Sequence, residues 1–387
     1  MADIAGTRAY YTKTNVAVEG AAARRHRRNQ MRRRRNSDDA AGEEDVPPNG
    51  RSDHQEGGAA VHGNGRRDRV PWWRSVVPVA GAVAVAGRQR QMEDAITVWM
   101  DLCSPLINRG LPVHYFGVYD GHGGSHFSTI CKEKMHEIIK EELIGAAAPG
   151  LITDESLLQE TWRNVIKRVY ARTETVALHT CSACGSEGFR CNCDRSSLSY
   201  SGTTAVAVLV TENHFVVGNC GDSRAVLYRR GRFLPLTFDH KPGRADEKAR
   251  IEASGGQVVN TDTARVQGIL AMSRAIGDMF LKPYVISEPD MTFRRRKGED
   301  EFLILASDGL WDVIPTEMAG RVARQCLNEE AGGGSIFVPE NEAFGQPVPS
   351  RSASAASLLT RLALARSSVD NISVVVVDLK GAGADDV

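Results

Sequence analysis

The chain has 387 residues, of which 42% are hydrophobic and 25% are charged, so it is long enough for one large domain or two ordinary ones. Lys+Arg and Asp+Glu both number 48, and this balance gives no reason to expect a nucleic acid or a membrane surface as partner. No signal peptide is recognisable, and the early apolar run at residues 76–86 is too short to span a bilayer, so we expect a soluble, intracellular protein.

The N-terminal segment, residues 1–72, is rich in Arg, Gly, Ala, Asp and Asn and poor in large apolar side chains, which predicts disorder. Its run RRHRRNQMRRRR at 24–35 is typical of a nuclear import signal, with a nucleic-acid patch or a merely solvated basic tail as alternatives. We therefore expect the protein in nucleus and cytoplasm. One folded domain is predicted over residues 73–380, followed by a flexible tail at 381–387.

Two strands are predicted at the start of this domain, at residues 78–86 and 96–100. Between them, GRQRQMEDA places Glu93 and Asp94 next to each other at the start of the second strand. Neighbouring side chains of a strand point to opposite faces, so only one of these two carboxylates can face a given site.

The stretch VHYFGVYDGHGG at residues 113–124 is an apolar strand that ends at Asp120 and runs into a glycine-rich turn. Both faces of this strand are expected to be partly buried. A carboxylate beside bare backbone carbonyls suits a hard divalent cation, and His122 is placed to donate a proton. A glycine-rich hairpin turn with a solvated Asp is an equally good interpretation of this stretch alone.

Two helices with apolar stripes are predicted at residues 125–143 and 154–179, as an antiparallel pair packed on a sheet. The stretch CSACGSEGFRCNC follows. A zinc site there is conceivable, but the tight second spacing favours a reduced, cysteine-rich surface loop. Its cysteines are Cys181, Cys184, Cys191 and Cys193.

The remainder is predicted to be mainly strands, with a hairpin around Gly231, a helix at 246–253 and a polar loop at 257–260. FLILASDGLWDV repeats the pattern of an apolar run ending in an aspartate, here Asp308. Further helices are predicted at 316–327 and 355–366.

Carboxylates therefore recur where apolar strands begin or end: Glu93, Asp94, Asp120, Asp308 and Asp370, the last in DNISVVVVDL. Taken singly, each aspartate is better explained as a turn cap. Together they are costly unless a cation lies between them, and all-oxygen ligands point to Mg²⁺ or Mn²⁺. Two such ions can share a carboxylate and activate a water for attack on phosphorus, while His122 protonates the leaving oxygen.

A set of motifs, spread in order from about residue 80 to 380, resembles the metal-dependent type 2C serine/threonine protein phosphatases, the PPM family. LKPYV and the DNISVVVVDLK ending look closest to the plant group that acts as abscisic-acid co-receptors (clade A). The resemblance implies an α+β fold of two packed antiparallel β-sheets flanked by helix pairs. The motifs are GRQRQMEDA, VYDGHGG, SGTTA, GNCGDSRAVL, DHKP, SRAIGD, DGLWDV and DNISVVVVDL.

The resemblance also implies a role for each matching residue. His122 would be the general acid, and Asp94 would support the ligands from behind. Arg88 and Arg90 are the candidates for binding the substrate phosphate. The implied ligands of two Mg²⁺ or Mn²⁺ ions are Asp120, Gly121 through its carbonyl, Asp308, Asp370 and Glu93 through a water, with Asp222 and Asp312 for a third ion.

Two positions depart from the family pattern. Gln89 stands where the family usually has a phosphate-binding arginine, and an amide lacks the charged fork that grips phosphate. Thr261 stands where the co-receptor group often has a tryptophan, which weighs against hormone receptors as partners.

The leading hypothesis is a protein serine/threonine phosphatase that is monomeric and acts on phosphorylated proteins, protein kinases among them, in abscisic-acid or stress signalling. A weakly active or inactive phosphatase-like module that binds kinases or receptors is the alternative, favoured by Gln89. The retained acidic residues and His122 favour the enzyme. A nucleic-acid-binding protein is disfavoured, because the predicted folded part lacks a basic face.

Overall fold

The computed structural model describes residues 76–146, 154–182, 198–260, 263–328 and 350–381. The predictions for residues 1–72, for Thr261, for Cys184, Cys191 and Cys193 and for the tail after residue 381 fall outside this part, as does the Cys181 side chain.

Strands and helices both occur in the described chain, numbered separately in chain order. The strands are β1 (Val79–Val85), β2 (Ala95–Cys103), β3 (Val113–Tyr119), β4 (Gly121–His122), β5 (Gly202–Thr203), β6 (Ala205–Val210), β7 (His214–Cys220), β8 (Arg224–Arg229), β9 (Arg232–Pro235), β10 (Val258–Asn260), β11 (Ala264–Val266), β12 (Ile276–Gly277), β13 (Asp290–Arg295), β14 (Asp300–Ala306) and β15 (Ile372–Asp378). The helices are α1 (His126–Ile130), α2 (His136–Gly145), α3 (Glu155–Ser182), α4 (Ala245–Ala253), α5 (Asp308–Trp311), α6 (Thr316–Asn328) and α7 (Arg351–Ala365), with a π-helix at Cys131–Met135 and 3-10 turns at Leu106–Asn108 and Met279–Leu281.

Two five-stranded antiparallel sheets pack face to face. The first has the order β1-β15-β14-β8-β9 and the second the order β13-β7-β6-β3-β2. Branched and aromatic side chains from the two inner faces, including Phe116, Val118, Leu305 and Val375, form the core between the sheets. The predicted β-sandwich is confirmed.

Helices cover the outer face of each sheet. Tyr115 and Tyr119 of β3 pack with α1 to α3, while Phe116 and Val118 of the same strand face the other sheet. The prediction that both faces of this strand are buried is therefore confirmed. On the first sheet, α6 and α7 pack against alternate residues of β14 and β15, such as Ile304 and Val376. The predicted helix pairs are confirmed, giving an α+β fold of helix, sheet, sheet and helix layers.

Local predictions differ from the structure in two places. The stretch predicted as a polar loop, residues 257–260, contains β10, because Val258 to Asn260 pair with β11 through an antiparallel register. The helix predicted at 125–143 is interrupted by the π-helix Cys131–Met135, an insertion that hydrophobic periodicity does not reveal. Among the described helices, none combines the length and apolar composition needed to cross a bilayer.

Candidate active site

The sheet register gathers distant acidic segments at one end of the sandwich. In the second sheet, the end of β3 adjoins the start of β6 and hence the end of β7. In the first sheet, the end of β14 adjoins the start of β15, where Ala306 pairs with Val374. The chain reaches Asp120, Asp222, Asp308 and Asp370 just beyond these strand ends. The electrostatic interactions between these carboxylates and their neighbours place all four at the same end of the sandwich.

Asp120 is held by its backbone. Its N–H donates to the Thr204 hydroxyl at 3.0 Å, and its carbonyl accepts from the Thr204 N–H at 2.8 Å and from the Thr203 hydroxyl at 3.0 Å. The Thr204 hydroxyl also bonds the Ser223 hydroxyl at 2.7 Å, beside Asp222. The SGTTA motif therefore fixes Asp120 relative to the next acidic turn.

The carboxylates at this end of the sandwich are buried and repel one another. Burial, and then the charges of Asp94, Asp308 and Asp222, raise the pKa of Asp120 well above its ordinary value. Burial, and then the charges of Asp222 and Asp312, raise the pKa of Asp308 to about 7. Burial raises the pKa of Asp94 to about 6. Such a cluster is stable near neutral pH when it holds protons or a cation.

The donor set fits a hard divalent cation. Both carboxylate oxygens of Asp94 and Oδ1 of Asp222 are buried without a hydrogen-bond partner among the described residues. All these donors are oxygens, which Mg²⁺ and Mn²⁺ prefer. Within the described ranges, no group of three or more His, Cys, Asp or Glu side chains is arranged to hold a metal ion. The fit consequently rests on burial, charge and donor chemistry.

Glu93 joins the cluster through the glycine-rich turn. Its Oε1 accepts a hydrogen bond from the Gly124 N–H at 3.1 Å, and its backbone carbonyl accepts one from the Ser128 hydroxyl. A Cβ on Gly121 would lie 2.5 Å from that same carbonyl, so only glycine fits where the two segments meet. Burial raises the pKa of Glu93.

The Asn371 side chain fastens the segment that carries Glu93. Its Oδ1 accepts from the Glu93 N–H at 2.7 Å, and its Nδ2 donates to the carbonyls of Ala86 and Gln91 at 2.9 and 3.0 Å. Asp370, the preceding residue, accepts a hydrogen bond from the Asn371 N–H at 2.7 Å. One amide thus holds the turn at residues 86–91 and places Glu93 beside the start of β15.

His122 is paired with a residue to which the sequence analysis gave no role. Its Nε2 lies 2.9 and 3.0 Å from the two carboxylate oxygens of Asp278, whose side chain is 2% exposed. Burial alone would lower the pKa of His122, but the hydrogen bond and charge of Asp278 outweigh it, and the pKa is raised. This favours a proton-bearing imidazole next to the carboxylate cluster.

Lys241 is a second residue that the sequence analysis left without a role. Its ammonium group forms an ion pair with the buried Asp222. Burial lowers the pKa of Lys241, but the charges of Asp222 and Asp308 more than compensate, and the pKa is raised. One positive charge therefore already faces the acidic cluster where a third ion was predicted, and Asp312 on the same side is exposed.

The residues predicted to bind phosphate lie on the turn before β2. Arg88, Gln89 and Arg90 are all exposed, and neither arginine makes a hydrogen bond or ion pair with another described residue. The turn itself adjoins the site, because a Cβ on Gly87 would meet the Asp370 carbonyl. The structure brings the backbone of this turn to the cluster without showing a contact from either guanidinium.

The predicted acidic residues thus lie at one end of the sandwich, where they are contacted by residues for which no role was predicted. Asp278, Lys241 and Asn371 lie in the motifs SRAIGD, DHKP and DNISVVVVDL, so a signal for each was present in the sequence. Their roles depend on contacts with partners 19 or more residues away, outside the motif that contains each of them.

The chain matches the family described as "Protein phosphatase 2C" over residues 80–372. It is 49% identical to "Probable protein phosphatase 2C 75" of Arabidopsis thaliana over 82% of this chain and 78% of that protein. It is 44% identical to "Probable protein phosphatase 2C 68" of Oryza sativa subsp. japonica, over 79% of each.

Solved structures agree on the fold. A serine-threonine phosphatase 2C from Toxoplasma gondii superimposes with a TM-score of 0.58 at 22% identity, covering 78% of this chain and 95% of that chain. A C. elegans sex determining protein gives 0.61 at 22% identity, covering 79% and 66%.

Proposed function

The chain belongs to the protein phosphatase 2C family of serine/threonine phosphatases. From that premise we propose that the carboxylate cluster at one end of the sandwich is its catalytic centre. The family is metal-dependent, and the proposal assigns Mg²⁺ or Mn²⁺ to Asp120, the Gly121 carbonyl, Asp308 and Asp370, with Glu93 holding a ligand water. The observation that supports this proposal is the burial of mutually repelling carboxylates at one end of the sandwich.

When bound, the ions supply positive charge and make a water more nucleophilic near neutral pH. The residues of the chain do the remaining work. Thr203 and Thr204 hold Asp120 in place, Asn371 holds Glu93, and Asp94 supports the ligands from a buried position. His122 faces the same cluster and gives a proton to the leaving oxygen of phosphoserine or phosphothreonine. We propose two bound ions, and a third, more weakly bound ion at Asp222 and Asp312.

A second candidate function is a phosphatase-like module that binds kinases or receptors with little turnover. It is favoured by Gln89, an exposed amide at the position of the usual phosphate-binding arginine. If the protein is an active phosphatase, Arg88 or Arg90 on the same turn binds the substrate phosphate in place of the usual arginine.

The biological setting is proposed from the resemblance to the abscisic-acid co-receptor group. We propose phosphorylated protein kinases of hormone and stress signalling as substrates, a monomeric enzyme, and location in nucleus and cytoplasm through the arginine run at 24–35. Hormone receptors are a weaker proposal because of Thr261. A fluorescent fusion with the arginines of the run changed to glutamine tests the location, and loss of the nuclear signal is expected.

The decisive experiment measures hydrolysis of a phosphothreonine peptide by the purified protein with Mn²⁺ and with EDTA. Turnover that requires Mn²⁺ and disappears in Asp120→Ala is expected. Asp101→Ala, an exposed aspartate outside the cluster, is the matched control and should retain activity. A folded wild-type protein without turnover at any Mn²⁺ concentration would favour the binding module.

A further inference from the structure

The contact between His122 and Asp278 joins segments that are far apart in the chain. Asp278 follows β12, and its two carboxylate oxygens lie 2.9 and 3.0 Å from Nε2 of His122, which belongs to β4, 156 residues earlier. The exposed fraction is 25% for the His122 side chain and 2% for Asp278. A carboxylate buried to this degree against one ring nitrogen restricts how the imidazole can turn.

Asp278 is itself held in place by the small sheet β12-β5-β4. Gly202 of β5 pairs with His122 on one side and with Gly277 on the other, and a Cβ on Gly202 would overlap the Asp278 carboxylate. The Asp278 N–H donates to the Ser201 carbonyl at 2.9 Å, and its φ of 49° is left-handed. The backbone conformation around Asp278 therefore directs its carboxylate towards His122.

The other ring nitrogen has no such partner. Nδ1 of His122 is buried and forms no hydrogen bond with any described residue. A histidine whose Nε2–H is donated to a carboxylate presents Nδ1 as its remaining polar atom. Partners of this kind fix the orientation of a catalytic imidazole and the nitrogen that acts.

We infer that Asp278 is a positioning residue that holds Nε2 of His122, so that the proton reaches the leaving oxygen from Nδ1. The inference rests on the proposed function. In this step the water oxygen forms a bond to phosphorus and the ester P–O bond breaks, its electron pair staying on the serine or threonine oxygen. That oxygen takes the proton from Nδ1, the attacking water releases one to solvent, and His122 regains one from solvent.

A merely structural role is the competing explanation, because Asp278 also links three short strands. The two explanations differ in how the loss depends on the leaving group. A proton donor matters for a poor leaving group such as phenol or threonine, and little for p-nitrophenol, which departs without a proton. Loss of a structural link would slow all substrates alike.

The test therefore compares kcat of wild type, Asp278→Asn, His122→Gln and the double variant on phenyl phosphate and p-nitrophenyl phosphate with Mn²⁺. Asp278→Asn should lower kcat on phenyl phosphate by about 100-fold and change kcat on p-nitrophenyl phosphate far less. The double variant should be no slower than His122→Gln, because both substitutions remove the same function, proton donation by His122. Equal losses on both esters, or additive losses in the double variant, would overturn the inference.

A second measurement needs neither a variant nor activity. The ¹⁵N spectrum of the imidazole in wild-type protein should show a hydrogen on Nε2 that is protected from solvent. A neutral ring with its hydrogen on Nδ1 alone would contradict the inference, even where Asp278→Asn fails to fold. Absence of wild-type turnover with a protected Nε2–H would instead count against the proposed function and leave the pairing intact.

Discussion

Asn371 and Glu93 are 278 residues apart in sequence, and the Asn371 side-chain oxygen accepts a hydrogen bond of 2.7 Å from the Glu93 N–H. The amide also donates to two carbonyls of the preceding turn. The residue just before β15, the last strand in the described part of the chain, therefore determines where Glu93 lies, and the stability of the site depends on such long-range contacts.

Replacing Asn371 should loosen both the fold and the site. Asn371→Ala removes three hydrogen bonds of 2.7 to 3.0 Å and should lower the free energy of unfolding by about 2–3 kcal/mol. It should also weaken Mn²⁺ binding, because Glu93 is no longer fixed. Urea unfolding and Mn²⁺ titration measure the two effects. Asn260→Ala, at an exposed position, is the control and should change neither.

Removing one charge from the carboxylate cluster should stabilise the metal-free protein. The pKa of Asp308 is raised to about 7 by burial and by the charges of Asp222 and Asp312, so its ionised form is costly there. Asp308→Asn should raise the free energy of unfolding in EDTA by about 2 kcal/mol.

The same substitution should shrink the rise in melting temperature that Mn²⁺ produces, because a ligand is lost. Thermal unfolding with and without Mn²⁺ gives both quantities. Asp246→Asn, outside the cluster, should leave the Mn²⁺-induced shift unchanged. A less stable Asp308→Asn in EDTA would show that the carboxylates do not repel as described.

Glu247 should make the free energy of unfolding depend on pH in the acid range. Burial would raise its pKa, but hydrogen bonds from Arg274, Arg250 and Ser273 lower it from 4.5 to about 2. A depressed carboxyl pKa stabilises the fold above the unfolded value of 4.5, and this stabilisation is lost as the pH falls towards 2.

Glu247→Gln should therefore cost about 3 kcal/mol at pH 7, and the gap from wild type should narrow below pH 4.5. Urea unfolding at a series of pH values measures the gap. The exposed Glu252→Gln on the same helix is the control and should show no such dependence. A gap that stays constant down to pH 3 would contradict the prediction.

Restoring an arginine at position 89 should improve phosphate binding. Gln89 is exposed on the turn whose Gly87 borders the Asp370 carbonyl, so an arginine at position 89 would place a guanidinium on the turn next to the cluster. One regained charge-assisted contact corresponds to about 10- to 150-fold in kcat/KM. Gln91→Arg, two residues further along, supplies the same charge at a different place and should have little effect. Equal gains from both variants would indicate a non-specific charge effect.

The sequence made β3 and β15 predictable because each is a near-continuous apolar run, rich in β-branched or aromatic residues, and it made the covering helices predictable because helical apolar spacing continues through them. The gathering of the acidic residues was also predictable, since several carboxylates that recur at the ends of apolar strands are costly unless a cation lies between them; their role as metal ligands stays a prediction. Asp278 and Lys241 were not predictable from local pattern, because each acts only through a partner supplied by another part of the chain. The strand at Val258–Asn260 was also missed, because three residues are too few for a periodic pattern and the strand forms by pairing with β11, although its two valines favour strand structure.

The position of β15 has a consequence for how the protein is made. This strand is the last in the described chain, yet it lies between β1 and β14 and brings Asn371 to the first acidic segment. A chain emerging from the ribosome therefore leaves an open slot in its first sheet until about residue 378 is free. Catalytic competence should appear only after β15 has left the ribosome, and a message truncated before DNISVVVVDL should yield no partly active phosphatase.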